Sequence, residues 1–263
     1  MGEASHPRAA ANPAAPGQIN LVLDGPIATL HISNPARRNA LTVAMWHQIT
    51  QSARLLADMP AVRCIVLRGV GGQFCAGADI SEMPTVRHDR ATGTAYHEDV
   101  IRPALTALLA LDKPLIAGIE GDCVGGGLEL TACCDLRVAN NDARFGAPVL
   151  HKGFPLAPFE WQVVSSAFGR AATMGLLVSG ELIEAPRALA LGMLQHVWPR
   201  AGFEWQLADL ARRVSQTAPA AVAVAKQLAR GQCPDPYVFL DSPDYREGIL
   251  AFLERRAPHF GKP

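Results

Sequence analysis

The sequence predicts an α/β protein whose strands empty into glycine-rich loops and whose C-terminal part is helical. Three observations predict it. Two continuous apolar runs, CIVLRGV (residues 64–70) and PLIAGIEG (114–121), end in glycines, as strands covered on both faces do. Helical periodicity precedes and separates them, and strand-like runs cease beyond residue 159. With 263 residues, 49% of them hydrophobic, the chain can bury one large core or two smaller ones.

Taken in order, MGEASHPRAAANPAAPG (1–17) is rich in Ala and Pro and lacks an apolar stretch of signal-peptide length, so a disordered tail is expected there. INLVLDGPIATLHIS reads as two strands joined at Asp24 and Gly25, and Thr42 caps a helix running VAMWHQITQSARLLADM. The apolar helix IRPALTALLAL separates the two strand runs. After Gly127, LELTACCDLRVAN reads as a short buried helix and another strand, and RFGAP closes that unit. Helical periodicity then occupies 160–168, 171–178, 203–216, 220–230 and 244–256 with no strand between, so these helices pack on the core, on another subunit, or on both. The resulting division is a tail (1–17), an α/β core (18–200) and a C-terminal helical region (201–263).

Twenty-four basic residues balance twenty-four acidic ones, which excludes the basic footprint of a nucleic-acid binder or a polybasic membrane tether. No run approaches ~18 uninterrupted apolar residues, so no membrane span is expected. Six cysteines without CxxC spacing read as buried, reduced thiols of a cytoplasmic protein, and no HExxH or clustered Cys/His set suggests a metal.

The chemistry concentrates in two loops at strand ends, FCAGADISEM (74–83) and EGDCVGGGLEL (120–130). Ala76, Gly77 and Ala78 are small enough for a ligand to reach the main chain, and Gly125, Gly126 and Gly127 sit where a helix begins and its first N–H groups lack partners. Two converging N–H groups make an oxyanion hole. Glu129 lies three residues past Gly126, on the same helical face, where a base beside an oxyanion belongs. The helix N-terminus favours its ionised form and burial beside Leu128, Leu130 and Cys133 the neutral one. Either loop taken singly is read as structural, a matter of capping and packing. GVGGQF starts like a dinucleotide loop, but Phe74 occupies the third glycine position, which leaves a nucleotide-dependent oxidoreductase as a distant alternative.

In order and spacing, SNPARRNALT (33–42), FCAGADI, GDCVGGGLELTACCDLRVA, FGAPVLHKGFP and AFLERRAPHF together resemble the crotonase, or enoyl-CoA hydratase/isomerase, superfamily. The resemblance implies a spiral of ββα units with a C-terminal helical trimerisation region, an acyl-CoA bent in a cleft, and a homotrimer or homohexamer. It implies that the thioester oxygen sits between the N–H groups of Ala78 and Gly126, with Glu129 as the catalytic glutamate. Ala76, Ala78, Asp79 and Ile80 match the adenine and pantetheine loop, with Gly125 beside it, and Asp79 is also read as ordering that loop. Arg38 stands where the family often holds phosphate, while Phe252 and Arg255 match positions that in some relatives reach a neighbouring subunit's CoA. No cofactor is implied beyond the coenzyme A that the substrate carries.

Two departures from the family pattern matter. The second glutamate usually follows the proline of FGxPE, and here FGAPV puts Val149 in its place. The GFPGAGG-like segment becomes GFPLAPFEW, where His151 and Glu160 are the polar residues nearest the altered wall, both read as solvent-facing or capping. Lys226 reads as a helix-surface residue. The reaction therefore stands between enoyl-CoA hydratase and isomerase chemistry, with a non-catalytic acyl-CoA binder as the alternative.

Overall fold

The structure, a computed structural model, describes residues 16–261. All but the last two residues of the expected tail lie outside the described residues, and the first strand begins at Gln18. Strands β1 (Gln18–Asp24) and β2 (Ile27–Ser33) form a hairpin about Gly25. Helix α1 (Val43–Ala57) follows, and the Thr42 hydroxyl accepts the Met45 N–H, satisfying one free donor of its first turn. Strand β3 (Cys64–Gly69) leads to short helices α2 (Met83–Val86) and α3 (Arg90–Ala95), a π-helical turn (Tyr96–Ile101) and α4 (Arg102–Leu109). Then come β4 (Leu115–Ile119), β5 (Asp122–Val124), α5 (Gly126–Ala132), β6 (Leu136–Asn140) and β7 (Arg144–Gly146).

The rest comprises α6 (Pro158–Phe168), α7 (Arg170–Ser179), β8 (Ile183–Glu184), α8 (Ala185–Ala190), β9 (His196–Trp198), α9 (Phe203–Ser215), α10 (Pro219–Ala229) and α11 (Pro243–Glu254). Strands β8 and β9 correct the expectation of helices alone. Each is two or three residues long, too short for an alternation to be visible in sequence, and each exists because a partner strand is already in place.

Six strands form a sheet in the order β1-β2-β3-β4-β6-β9, antiparallel only at the β1–β2 hairpin, and β5-β7-β8 form a second sheet. The main core lies on one face of the larger sheet, where Leu30, Ile65, Leu67 and Leu115 meet Trp46 and Ile49 of α1 and Leu105 and Leu108 of α4. The other face carries Cys64, Val66, Ile116 and Val138, covered by Phe203, Leu207 and Leu210 of α9. Both faces being covered is why these strands read as unbroken apolar runs. Arg68 ties the layers together by pairing with Glu120 (3.0 Å) and with Glu204 of α9.

Lys226 is not a free surface lysine: only 12% of its side chain is exposed, and it pairs with Asp135 at 2.5 Å, fastening α10 to the sheet. Helix α11 buries only Ala251 and exposes Ile249, Leu250, Phe252 and Leu253. Cys64, Cys75, Cys123, Cys133 and Cys134 are buried and free, and Cys233 is free and half-buried. No helix among the described residues is long and apolar enough to cross a membrane.

Candidate active site

The two loops named from sequence meet through backbone bonds. Cys75 N–H donates to Asp122 C=O and Val124 N–H donates to Cys75 C=O, each at 2.9 Å, so the first loop lies alongside β5 just before α5 begins. Leu41 N–H donates to Gly77 C=O and Asp79 N–H to Leu41 C=O, both at 2.8 Å, bracketing Ala78. In this parallel bridge the N–H of Ala78 points away from Leu41. Neither it nor the N–H of Gly126, in the first turn of α5, bonds to an acceptor among the described residues.

Glycine is required at two points of this junction. Gly77 holds φ +97°, and a Cβ there would stand 3.1 Å from Val124 C=O and 3.6 Å from the Gly126 nitrogen. At Gly127 a Cβ would meet Cys75 at 2.9 Å. Any side chain would push the two loops, and their free N–H groups, apart.

Both loops open on a cavity of about 360 Å³, lined mainly by apolar side chains. Ala76, Ala78, Ile80, Gly125, Gly126, Glu129 and Val149 all line it. Glu129 is 5% exposed, and its Oε2 has no hydrogen-bond partner among the described residues. Burial first, and then the neighbouring Glu160 carboxylate, push the Glu129 carboxyl well above the usual range, with Arg87 opposing. Burial, one of the two influences weighed from sequence, is thus the largest cause of the shift.

Asp79 is buried, and its Oδ1 accepts the Ser81 N–H (3.0 Å) and hydroxyl (2.7 Å) and pairs with Arg37 at 3.2 Å, so it orders the loop. It does not line the cavity. Arg38 stands outside the cavity with a side chain 72% exposed, while its carbonyl accepts the Ala76 N–H at 3.1 Å and so shapes the loop. Phe252, 82% exposed, and Arg255 belong to the end of α11 and are likewise absent from the cavity wall. The GVGGQF segment is consumed by the protein itself: the Asn39 side-chain amide donates to the carbonyls of Val70 and Gln73, and Phe74 is fully buried.

The altered wall corrects one expectation. Glu160 is not solvent-facing. It does cap α6, its Oε2 accepting the Ala157 N–H at 3.0 Å, but it is 3% exposed and lines the cavity with Glu129, and its Oε1 lies 2.5 Å from His97 Nδ1. His151 stays outside and exposed, near Ser179 C=O. Sequence reasoning missed His97, Tyr96 and Arg87, which also line the cavity; Arg87 stacks over Phe154 at 4.2 Å. Tyr96 and His97 sit in a π-helical turn that breaks the ordinary helical period, and Arg87 follows the four-residue α2, too short for a period to show. Among the described residues no three His, Cys, Asp or Glu side chains group as metal ligands.

An α/β chain with two free loop N–H groups and two buried carboxyl groups, Glu129 and Glu160, around a mainly apolar cavity has the crotonase class of fold. The crystal structure of an enoyl-CoA hydratase/carnithine racemase from Magnetospirillum magneticum superposes with a TM-score of 0.89 at 34% identity, covering 92% of this chain and 95% of that one. A 2,3-dehydroadipyl-CoA hydratase of Escherichia coli is 33% identical, with 89% of this chain and 94% of that protein covered. An (E)-benzylidenesuccinyl-CoA hydratase of Thauera aromatica is 32% identical over 92% and 98%. The sequence pattern of the enoyl-CoA hydratase/isomerase family matches residues 24–263, and the chain belongs to that family.

Proposed function

We propose that the protein acts on acyl-CoA thioesters, forming an enolate at the α-carbon in reactions of the 2-enoyl-CoA hydratase or isomerase type. The observation that carries this reading is the buried, unpartnered Glu129 carboxyl in one cavity with the free N–H groups of Ala78 and Gly126. In this reading the thioester oxygen accepts from both N–H groups, which stabilise the charge that develops when the α-carbon exchanges a proton. Such donors are typically worth ~3 to 4 kcal/mol each in the transition state. Glu129, whose carboxyl burial and Glu160 raise well above its ordinary range, moves that proton.

Coenzyme A enters as part of the substrate and no other cofactor is invoked. Its pantetheine runs along Ala76, Ala78 and Ile80, and Arg38, exposed and bonded through its carbonyl to the Ala76 N–H, meets phosphate. Copies of the chain assemble as a trimer or a pair of trimers through the C-terminal helices, a reading supported by the apolar residues that α11 exposes; Phe252 and Arg255 then reach a neighbour's substrate. Light scattering reads the assembly directly, and a monomer at micromolar concentration refutes it. The cytoplasm is the compartment proposed, consistent with five buried free thiols.

Val149 favours a second reading, a binder that keeps the cavity without turnover, because the usual second glutamate is absent. Against it, an unpartnered buried carboxyl costs stability that a binder has no use for. Crotonyl-CoA turnover measured beside a CoA-thioester binding titration decides: turnover supports the enzyme, and tight binding without turnover supports the binder.

A further inference from the structure

We propose that His97 is the second proton-transfer group of the cavity, activating the water that adds to the acyl chain, with Glu160 as its positioning residue. This rests on the acyl-thioester reading above. Position 149 supplies no carboxyl, yet the cavity wall is not apolar throughout. His97 comes from the π-helical turn and Glu160 from the first turn of α6, and they meet with Nδ1 2.5 Å from Oε1. The other Glu160 oxygen is fixed by the Ala157 N–H at 3.0 Å, so the carboxylate is anchored at both ends.

A carboxylate can only accept, so its bond to Nδ1 requires that nitrogen to carry a proton, and in the neutral ring Nε2 is then the acceptor. Nε2 has no hydrogen-bond partner among the described residues. The two side chains are 16% and 4% exposed, and both residues line the cavity with Glu129. His97 stands between this cavity and a second, more open one lined by Asp89, Arg90 and Pro158, so solvent can reach the ring while a buried carboxylate orients it and Nε2 stays free.

The backbone supports the same placement. The Arg102 N–H donates to the carbonyl of His97, five residues back, and Pro103 has no N–H with which to continue the ordinary ladder. The wider turn gives this segment a register that a regular helix would not, a device frequent at functional sites.

The step balances without another reactant. The water oxygen bonds to the β-carbon while Nε2 takes one of its protons; the π pair moves to the α-carbon and thioester oxygen as an enolate held by Ala78 and Gly126. Protonated Glu129 then gives its proton to the α-carbon. Hydrogen and hydroxyl have been added across the double bond, the imidazolium charge is matched by Glu160, and that proton returns through solvent to Glu129.

The test compares two readouts in wild type, His97→Gln, His97→Asn, Glu160→Gln and Glu129→Gln. One is hydration of crotonyl-CoA. The other is deuterium uptake at the α-carbon of butyryl-CoA in heavy water, which needs the ionised form of Glu129 as base and the N–H pair but no water addition. Wild type performs both, and Glu129→Gln loses both. His97→Gln lowers the ratio of hydration to exchange by ~100-fold. Glu160→Gln, which keeps an acceptor for the Ala157 N–H, lowers the same ratio by about tenfold, through kcat more than KM. A ratio within about threefold of wild type in folded His97 variants overturns the proposal, as does a wild type that exchanges but does not hydrate. If His97→Gln fails to fold, His97→Asn and Glu160→Gln carry the comparison. A wild type that does neither reaction sinks the acyl-thioester reading itself, and the proposal with it.

Discussion

Replacing Glu129 with Gln removes the titrating proton while keeping the side chain's size, and the structure predicts opposite effects on stability and activity. Burial and Glu160 raise the folded-state pKa above the ordinary 4.5. The sign then follows: between 4.5 and the folded value, the folded chain holds a proton that the unfolded chain has released, so stability falls as pH rises through that window. Below it the contribution is absent. The slope is at most ~1.4 kcal/mol per pH unit, and in a chain of this size one kcal/mol moves Tm by about 2–4 °C. Glu129→Gln lacks the titration, so its Tm should gain on that of wild type by up to about 3–6 °C for each pH unit between 4.5 and the raised folded value. Paired melts near pH 5, 6 and 7 measure this, and using the difference between proteins cancels the titration of groups that do not interact with Glu129. The same variant should lose ~100-fold or more in turnover. A Tm difference that stays constant with pH would refute the claim that burial raises the Glu129 carboxyl.

Gly126→Pro deletes the free N–H at the first turn of α5, a position where proline is otherwise tolerated, and should lower kcat by about 10²–10³. Trp46 lies 3.1 Å from where a Cβ would fall, so circular dichroism must first establish folding; a folded variant with unchanged kcat removes this donor from the mechanism. Val149→Glu should lower Tm, since an unpaired carboxyl buried in an apolar wall costs ~1–3 kcal/mol, and in the His97→Gln background it should restore part of the lost hydration. Absence of any rescue in a folded double variant would show that position 149 and His97 do not serve the same water. Burial pushes the Cys64, Cys75 and Cys134 thiols up to about 12 and raises Cys123 and Cys133 well above their ordinary value, so an aromatic disulfide reagent should titrate one thiol, Cys233, in the folded protein. Fast reaction of a second thiol contradicts that burial.

Apolar runs ending in glycines, a threonine before a periodic segment and a glutamate three residues into a helix are local statements, and each was legible along the chain. So was the absence of a carboxyl at Val149. Local pattern specifies strand, cap and helical face because those depend on neighbours in sequence, and the family resemblance of the linked blocks extended them to a fold. What the chain could not disclose by itself is which distant residues meet. Strand β9 exists only because β6 offers an edge, and Lys226 is anchored only because Asp135 lies beneath α10. His97 and Glu160 stand 63 positions apart, one in a π-helical turn that erases helical periodicity and the other in a first-turn position that reads as a cap. Their juxtaposition, and the burial that raises the Glu129 carboxyl, arise from packing α5 and α6 against the turn before α4. Burial and pairing are properties of the assembled interior, and the tertiary structure alone decides them.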